Sequence, residues 1–336
     1  MLPALSTIVV VGRLRARAAP CLASLLTQRL DDASQGARLE VLLVDCGGEG
    51  LPPVAGSDDP RVVVLRQPPG TTYARSRADA VSVARASVVA FVEEHVRVRA
   101  GWAAALLRAH AGPFAGVGAV PLAGNPEQPR TALLHLASYG DWAPPVARGE
   151  VALLPGHNAS FKTAVLRGYG DELEELLQCD LVLHGRLRRD GHRLAMEPDA
   201  VIEHLAEPSV RCLLRGLFWW YRCYAPLRAE AERWSPLRRG LYVVGAPLVP
   251  LYALRRFWRR LRHQGLAAPA RVLRWAPAML ALAAAGAAGQ TLGLLAGAGD
   301  ALVRFTDYEL HAPRPEAPES AAAWSGASTL PAPVAL

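Results

Sequence analysis

The chain has 336 residues, about half of them hydrophobic, and carries a formal net charge of +7. This length suits one large domain or two ordinary ones, with enough apolar residues for a sizeable core. The five cysteines are scattered and form no CxxC pair, which argues against a disulfide framework and against a cysteine-rich zinc site.

Short apolar runs alternate with helical patterns along the first part of the chain. The predicted strands are 6–11, 39–45, 61–67 and 87–92, and the predicted helices lie around 21–30, 72–86 and 101–110. No basic segment precedes the first run, so we interpret it as a strand, not a signal peptide, and expect a cytoplasmic domain. Continuous β-branched runs between amphipathic helices are typical of a parallel sheet covered on both faces. The sequence therefore predicts an α/β fold with a mostly parallel sheet.

Two of these predicted strands end in acidic residues. Asp45 ends the second, and Glu93, Glu94 and His95 follow the fourth. Ligands of parallel sheets bind beyond the carboxyl ends of the strands, so we expect these side chains to face one crevice. Carboxylates with an imidazole suit Mn²⁺ or Mg²⁺, which would neutralise a pyrophosphate. Charges that are merely solvated at a strand end are the alternative interpretation.

Two further titratable candidates lie beyond residue 150. Asp180 falls in an apolar stretch of a predicted acidic helix, 172–191, and a carboxylate held in a cleft can take a proton from an attacking hydroxyl. Its alternative is a surface aspartate paired with an arginine. His204 ends the second of two short predicted strands, 192–197 and 200–204, either as a ligand or as an ordinary satisfied histidine.

The loop LPGHNASF precedes the acidic helix. Its polar residues suit the binding of sugar hydroxyls, and its glycine and asparagine suit a turn equally well. The candidates are Gly156, His157 and Asn158.

The order of these segments resembles family-2 glycosyltransferases of the GT-A fold. The matching segments, within residues 5–205, are STIVVV, EVLLVDCGG, ARSRADAVSVARASVVAFVEEH, LPGHNASFKTAVL and QCDLVLHGRLRRDGHRLAMEPDAVIEH. Each motif is degenerate alone, but their joint order and spacing make the match fairly specific. The resemblance implies a Rossmann-like GT-A domain and a metal-assisted, inverting transfer of sugar from a nucleotide-sugar donor to a lipid-linked or polysaccharide acceptor.

The resemblance also implies a role for each candidate residue. The catalytic base is Asp180; the nucleotide-binding residues are Asp45, Arg77 and Glu93; the metal ligands are Glu94, His95 and His204; the acceptor or sugar site is Gly156, His157 and Asn158.

The sequence departs from the family pattern at several of these motifs. Glu-Glu-His replaces the Asp-x-Asp metal motif, and Cys179 replaces the first acid of a Glu-Asp pair. Asp45-Cys46-Gly47-Gly48 replaces Asp-Asp-Gly-Ser, and Gly12-Arg13-Leu14-Arg15 replaces Pro-Thr-Tyr-Asn. These changes motivate a second hypothesis, a non-catalytic nucleotide-sugar-binding or scaffolding protein of a surface-polysaccharide system. A nucleotidyltransferase is a third, which fits the acidic helix and the LPGHN segment less well.

From about residue 209 the sequence becomes helical, aromatic and arginine-rich. The apolar segment 241–254 is too short to span a bilayer, whereas 276–299 is about long enough. The basic stretch 255–274 lies between them, and two spans would place it outside, against the positive-inside rule. We therefore interpret 241–254 as an interfacial element, with the basic stretch on anionic headgroups. A helical hairpin of a soluble accessory domain is the alternative for 276–299.

The sequence thus predicts three regions: a GT-A domain over 1–208, a helical membrane-associated region over 209–311, and a disordered Pro/Ala/Ser-rich tail over 312–336. The expected location is the cytoplasmic face of the inner membrane, held peripherally or by one C-terminal span. Aromatic and apolar flanks of the arginine run argue against a nucleic-acid partner.

Overall fold

The computed structural model describes residues 2–30, 39–124, 129–205, 210–263, 265 and 269–311. The strands in these ranges are β1 (Leu5–Val11), β2 (Leu39–Asp45), β3 (Val62–Arg66), β4 (Val88–Phe91), β5 (Val96–Val98), β6 (Phe114–Ala123), β7 (Gly149–Val151), β8 (Ala159–Lys162) and β9 (Arg193–His204). The helices are α1 (Arg15–Leu26), α2 (Tyr73–Val83), α3 (Trp102–His110), α4 (Pro129–Tyr139), α5 (Thr163–Arg167), α6 (Leu173–Leu177), α7 (Asp180–Arg189), α8 (Val210–Ala231), α9 (Pro236–Val244), α10 (Val249–His263), α11 (Pro269–Ala296) and α12 (Ala301–His311). The predicted tail, 312–336, lies outside the described residues.

The strands form one mixed sheet in the order β3-β2-β1-β4-β8-β6-β9-β5, with β7 paired to β9. Strands β1 to β4 pair in parallel with one another, as the sequence predicts, and β6 pairs in parallel with β9. The remaining pairs are antiparallel. The α/β class is confirmed. Each antiparallel pair includes one of the short strands that follow β4 in the sequence, namely β5, β7 or β8.

Helices cover both faces of this sheet. In β1, Ile8 and Val10 belong to a buried cluster with residues of α2 and α7, whereas Val9 and Val11 belong to a second cluster with residues of α1 and α3. Alternate side chains of a strand point to opposite faces, so a strand buried on both faces must be apolar throughout. This is why residues 8–11 of the first strand form a continuous apolar run, whereas the buried hydroxyls of Ser6 and Thr7 are hydrogen-bonded to Glu40.

Strand register brings the acidic strand ends together. Ile8 pairs with Phe91 across β1 and β4, so Gly12 and the residues after β4 emerge side by side. In the antiparallel pair of β5 and β9, Val96 lies opposite His204, which sets His204 next to His95.

Two predicted elements differ from those observed. The predicted helix 172–191 is broken into α6 and α7, because Cys179 is buried with an extended backbone (φ −147°, ψ 111°) and caps α7. Asp180 is therefore the first residue of α7, not an interior one. The two predicted strands 192–197 and 200–204 form one strand, β9, with an irregular register against β6.

The C-terminal helices pack through close backbone contacts. A Cβ at Gly289 of α11 would lie 2.2 Å from the carbonyl oxygen of Phe218 in α8, and one at Gly293 would lie 2.5 Å from that of Arg222. Within α11, Leu273–Ala296 is long and apolar enough to cross a membrane by length and composition, and about a third of its apolar window (33%) is buried in the protein. The segment 276–299 therefore contributes to one continuous helix, not to a hairpin.

Candidate active site

Glu93, His95 and His204 form a buried group where β4 and β9 end. The Nε2 atoms of the two histidines are 2.9 Å apart, and Glu93 Oε2 is 3.4 Å from His204 Nε2 and 4.0 Å from His95 Nε2. Two ligands at right angles, each about 2.1 Å from a metal ion, would be about 3.0 Å apart. A carboxylate with two imidazoles is also a donor set that suits a divalent transition metal. The three side chains therefore form a candidate metal site.

Three neighbours hold the Glu93 carboxylate. Tyr139 Oη and Asn158 Nδ2 donate hydrogen bonds to Glu93 Oε2 at 2.8 and 2.6 Å. Burial raises the pKa of Glu93, but the charges of His95 and His204 and a hydrogen bond from His157 outweigh it and hold the pKa well below its usual range. Glu93 is thus an ionised carboxylate in a fixed orientation.

Glu94 points away from this group. Its carboxylate forms a buried ion pair with Arg17 and accepts a hydrogen bond from the backbone N–H of Gly12 at 3.2 Å. The structure therefore groups the two histidines with Glu93, whereas the sequence led us to expect Glu94 there. The physical reason is that Glu94 and His95 lie in a turn, closed by a hydrogen bond from the Val96 N–H to the Glu93 carbonyl oxygen at 3.0 Å, and Arg17 holds the Glu94 carboxylate on the other side.

His157 connects the Glu93 group to Asp180. Its Nδ1 is 3.3 Å from Glu93 Oε1, and its Nε2 is 3.2 Å from Asp180 Oδ2. Burial lowers the pKa of His157, but the charge of Asp180 and the hydrogen bond to Glu93 outweigh it and raise the pKa to about 9. An imidazolium therefore lies between two carboxylates at neutral pH.

Arg77 holds the other oxygen of Asp180. Its guanidinium nitrogens are 3.3 and 3.4 Å from Asp180 Oδ1, and its Cζ lies 3.9 Å from the centroid of the Phe91 ring. Burial raises the pKa of Asp180, but the charges of His157 and Arg77 outweigh it and lower the pKa. Arg77, expected at the nucleotide, is only 1% exposed and lies under the site beside Asp180.

Gly156 lies against the Asp180 carboxylate. A Cβ at this position would be 2.0 Å from Asp180 Oδ2, so only glycine leaves room for the carboxylate in its observed place. The residue begins a 3₁₀ turn, Gly156–Asn158, which also places His157 and Asn158 at Glu93. The LPGHN segment thus forms a turn, and all three of its candidate residues contact the acidic groups of the site.

Asp45 lies at the end of β2. Its two carboxylate oxygens accept hydrogen bonds from one guanidinium nitrogen of Arg15 at 2.7 and 2.8 Å, and the backbone N–H of Gly47 donates to it at 2.9 Å. The structure brings Asp45 together with Arg15, while Glu93, His157 and Asp180 form a separate set of contacts.

A cavity of about 720 Å³ opens beside Glu93, His157 and Asp180. Ligand sites typically measure about 300–1,000 Å³ and combine an apolar lining with a few polar groups. Side chains distant in sequence form the remaining wall, and no motif in the sequence marked them: Tyr139, Trp142, Trp220, Tyr221, Tyr224, Arg228, Arg256, Arg260, Phe305, Tyr308 and Glu309.

No protein-family model and no curated protein matches the chain. Similar solved structures include GalNAc-T7 with UDP, GalNAc and Mn²⁺, at 11% identity and a TM-score of 0.45 over 60% of this chain and 43% of that one. The mannosyltransferase PcManGT from Pyrobaculum calidifontis with GDP-Man and Mn²⁺ has 19% identity and a TM-score of 0.48 over 92% and 85% of the two chains. S. aureus TarS 1–349 with UDP has 16% identity and a TM-score of 0.47 over 84% and 90%. The chain thus spans less than half of the GalNAc-T7 chain. Sequence identities this low show a similar fold and do not carry a function over to this chain.

Proposed function

We propose that the protein is a metal-dependent glycosyltransferase that moves a sugar from a nucleotide-sugar to a lipid-linked or saccharide acceptor, with inversion. The observation that supports this most is the buried connection from Glu93 through His157 to Asp180 along one cavity. It joins a donor set suited to a divalent cation with a second carboxylate suited to proton transfer. Both groups would assist the displacement of a diphosphate by a sugar or lipid hydroxyl.

The proposed metal ligands are Glu93, His95 and His204. A bound Mn²⁺ or Mg²⁺ would stabilise the charge of the leaving diphosphate. Asn158 and Tyr139 orient Glu93 through their hydrogen bonds. Glu94, which we expected among the ligands, is replaced by Glu93 in this proposal because its own carboxylate is paired with Arg17.

Asp180 is the proposed general base. Its carboxylate lines the cavity, and Arg77 and His157 hold its two oxygens in a fixed orientation. Their charges keep it ionised, so it is ready to accept the proton of an acceptor hydroxyl. We propose Asp45, with Arg15, for contacts to the nucleoside at the end of β2.

The acceptor side of the cavity has aromatic and cationic walls. The rings of Trp220 and Tyr224 stack with centroids 5.0 Å apart, and both line the cavity together with Arg228 and Arg256. Aromatic faces pack against sugar rings or lipid chains, and guanidinium groups pair with phosphate. Arg228 and Arg256 are paired with Glu232 and Asp141 in this structure, so an acceptor phosphate would have to compete with these carboxylates. The walls thus support above all an acceptor with a sugar or lipid part.

Binding of nucleoside diphosphates tests the donor site. We expect one of UDP, GDP, ADP or dTDP to bind the full chain in calorimetric titrations with Mn²⁺, and the same titration in EDTA to show at least about tenfold weaker binding. A chain that binds none of these nucleotides, or binds one equally well without metal, would refute the proposed donor site.

Gly156→Ala is expected to slow transfer by about 10²-fold, since its methyl group must displace the Asp180 carboxylate, and small misplacements of catalytic groups cost about this much. Mn²⁺ affinity should stay close to that of the wild type. Initial rates of transfer and metal titrations measure both effects. Gly240→Ala is the matched control, because a Cβ at Gly240 meets no atom within 4 Å. Equal rates in the two variants would show that Asp180 is not held as observed.

We propose that α9 and α10 place the protein on the cytoplasmic face of the inner membrane. No residue of α9 is buried, and its Leu241 and Val244 are 63% and 80% exposed. Leu248 and Leu251 continue this exposed apolar surface. The end of α10 carries a series of arginines, and apolar residues beside basic ones favour an anionic lipid surface.

The double variant Leu241→Glu/Val244→Glu is expected to bind anionic phospholipid vesicles at least about tenfold more weakly, because it replaces exposed apolar contacts with repelled charges. Its stability should change little, since both side chains are exposed. Vesicle sedimentation at low salt measures the binding. Val83→Glu, at an exposed position of α2, is the control. Full binding by the double variant, or none by the wild type, would contradict a membrane role for this surface.

A further inference from the structure

Helix α12 covers the carboxyl end of strand β1. A Cβ at Gly12, the residue directly after β1, would lie 1.8 Å from the carbonyl oxygen of Leu310. The backbone N–H of the next residue, Arg13, donates a hydrogen bond to His311 Nδ1 at 3.3 Å. Ligands of parallel sheets bind at this end of the strands. The C-terminal end of α12 therefore occupies space in which a bound nucleotide would lie.

The guanidinium of Arg17, a group that can also bind phosphate, contacts this end of the helix. Its guanidinium donates hydrogen bonds to the carbonyl oxygens of Glu309 and Leu310, at 3.0 and 3.4 Å, and pairs with Glu94. Carbonyl oxygens at a helix C-terminus carry partial negative charge. The contact thus resembles the pairing of a guanidinium with the oxygens of a diphosphate.

Glu309 places a carboxylate beside the proposed metal ligands. One of its oxygens lies close enough to Glu93 and His157 that the ligand atoms of all three are within 4.8 Å of one another. His157 is already held between Glu93 and Asp180, which argues against a second metal site there. A third carboxylate beside Glu93 and Asp180 would repel a diphosphate. In its observed position, α12 therefore opposes donor binding through its charge and through the space that it fills.

Helix α12 is held by buried apolar side chains, Ala301 and Phe305 near its start and Leu310 at its end, and it joins α11 through two glycines. Leu310 is 2% exposed and belongs to the core cluster, and Thr306 Oγ1 accepts a hydrogen bond from the backbone N–H of Tyr73 at 3.4 Å. The connection to α11 contains Gly297 and Gly299, whose φ angles are +76° and +54°. Glycine adopts such angles without strain, so these two residues let the chain turn from α11 into α12, where Arg222 donates a hydrogen bond to the carbonyl oxygen of Gly297 at 3.5 Å.

We propose that α12 is an autoinhibitory strap: it occupies the diphosphate end of the donor crevice in the free protein, and a nucleotide must displace it. This inference rests on the proposed function, because it takes the crevice to be a nucleotide site. The apparent affinity for the donor would then depend on the fraction of molecules in which α12 is displaced from the crevice.

Two full-length variants test the strap. Leu310→Glu places a charge at the buried position of Leu310 and should release α12 from the domain. Leu310→Met keeps an apolar side chain of similar size at that position. With UDP, GDP, ADP and dTDP as probes in the presence of Mn²⁺, we expect Leu310→Glu to bind one of them at least about tenfold more tightly than both the wild type and Leu310→Met do, because the apparent affinity scales with the fraction of open protein. Circular dichroism establishes that the variant is folded.

Amide hydrogen exchange of the wild type gives a second measurement that needs no variant. Residues 301–311 should exchange faster when Mn²⁺ and the nucleotide are bound. Slower exchange on binding, or equal or weaker affinity in a folded Leu310→Glu, would overturn the strap and make α12 a wall of the site. If none of UDP, GDP, ADP or dTDP binds the wild type or either variant, the donor site itself is refuted, a failure distinct from that of the strap alone.

Discussion

Asp180→Asn is expected to reduce the rate of sugar transfer by at least about 10²-fold, the low end of the effect of losing a positioned general base. The amide keeps the shape of the side chain and an oxygen that can accept from Arg77 or His157, but it cannot take a proton at neutral pH. The metal group at Glu93 is not changed. Affinity for the nucleotide-sugar should therefore stay near that of the wild type.

Steady-state transfer rates and donor titrations separate these two effects. Asp190→Asn is the matched control, because Asp190 follows the opposite end of α7 and pairs there with Arg186 and Tyr169. Near-normal turnover of Asp180→Asn would remove Asp180 from the mechanism. It would favour the hypothesis of a non-catalytic nucleotide-sugar-binding protein or a different base.

Glu93→Gln is expected to weaken Mn²⁺-dependent nucleotide binding by at least about 10²-fold, since even outer partners of metal ligands contribute about 10–100-fold to affinity. Glu93 is the one carboxylate in the described group with His95 and His204. An amide cannot supply its negative charge to the ion. Calorimetric titrations with Mn²⁺ and a nucleoside diphosphate measure the loss.

Glu94→Gln is the control at the neighbouring position. Its side chain is equally buried but pairs with Arg17, so the substitution should lower the free energy of unfolding by on the order of 3 kcal/mol and leave Mn²⁺ affinity nearly unchanged. The opposite pattern, with metal affinity lost in Glu94→Gln and kept in Glu93→Gln, would restore Glu94 as the ligand predicted from the sequence.

Parts of the fold could be predicted because they depend on local patterns. Strand β2 spans Leu39–Asp45, as its apolar run predicts, and the parallel pairing of β1 to β4 follows from continuous apolar strands between helices. The break before Asp180 could not be predicted in this way. It depends on the burial of Cys179 against the core, which is a tertiary contact.

The candidate site shows the same division. The strand-end pattern marked the trio after β4, but the choice between Glu93 and Glu94 depends on the direction in which each side chain leaves the strand. That direction follows from Arg17, which pairs with Glu94 from a helix far away in sequence. Tyr139 and Glu309 come from α4 and α12, and their approach to Glu93 follows from packing that no short motif encodes.

Sugar transfer itself is measured by incubating the full chain with bacterial membranes and radiolabelled nucleotide-sugars, one at a time. We expect label from one donor to enter the lipid or polysaccharide fraction in the presence of Mn²⁺, and to stay in the nucleotide fraction with EDTA or with Asp180→Asn. A chain that binds a nucleotide-sugar but neither transfers nor hydrolyses it under any of these conditions would contradict a glycosyltransferase.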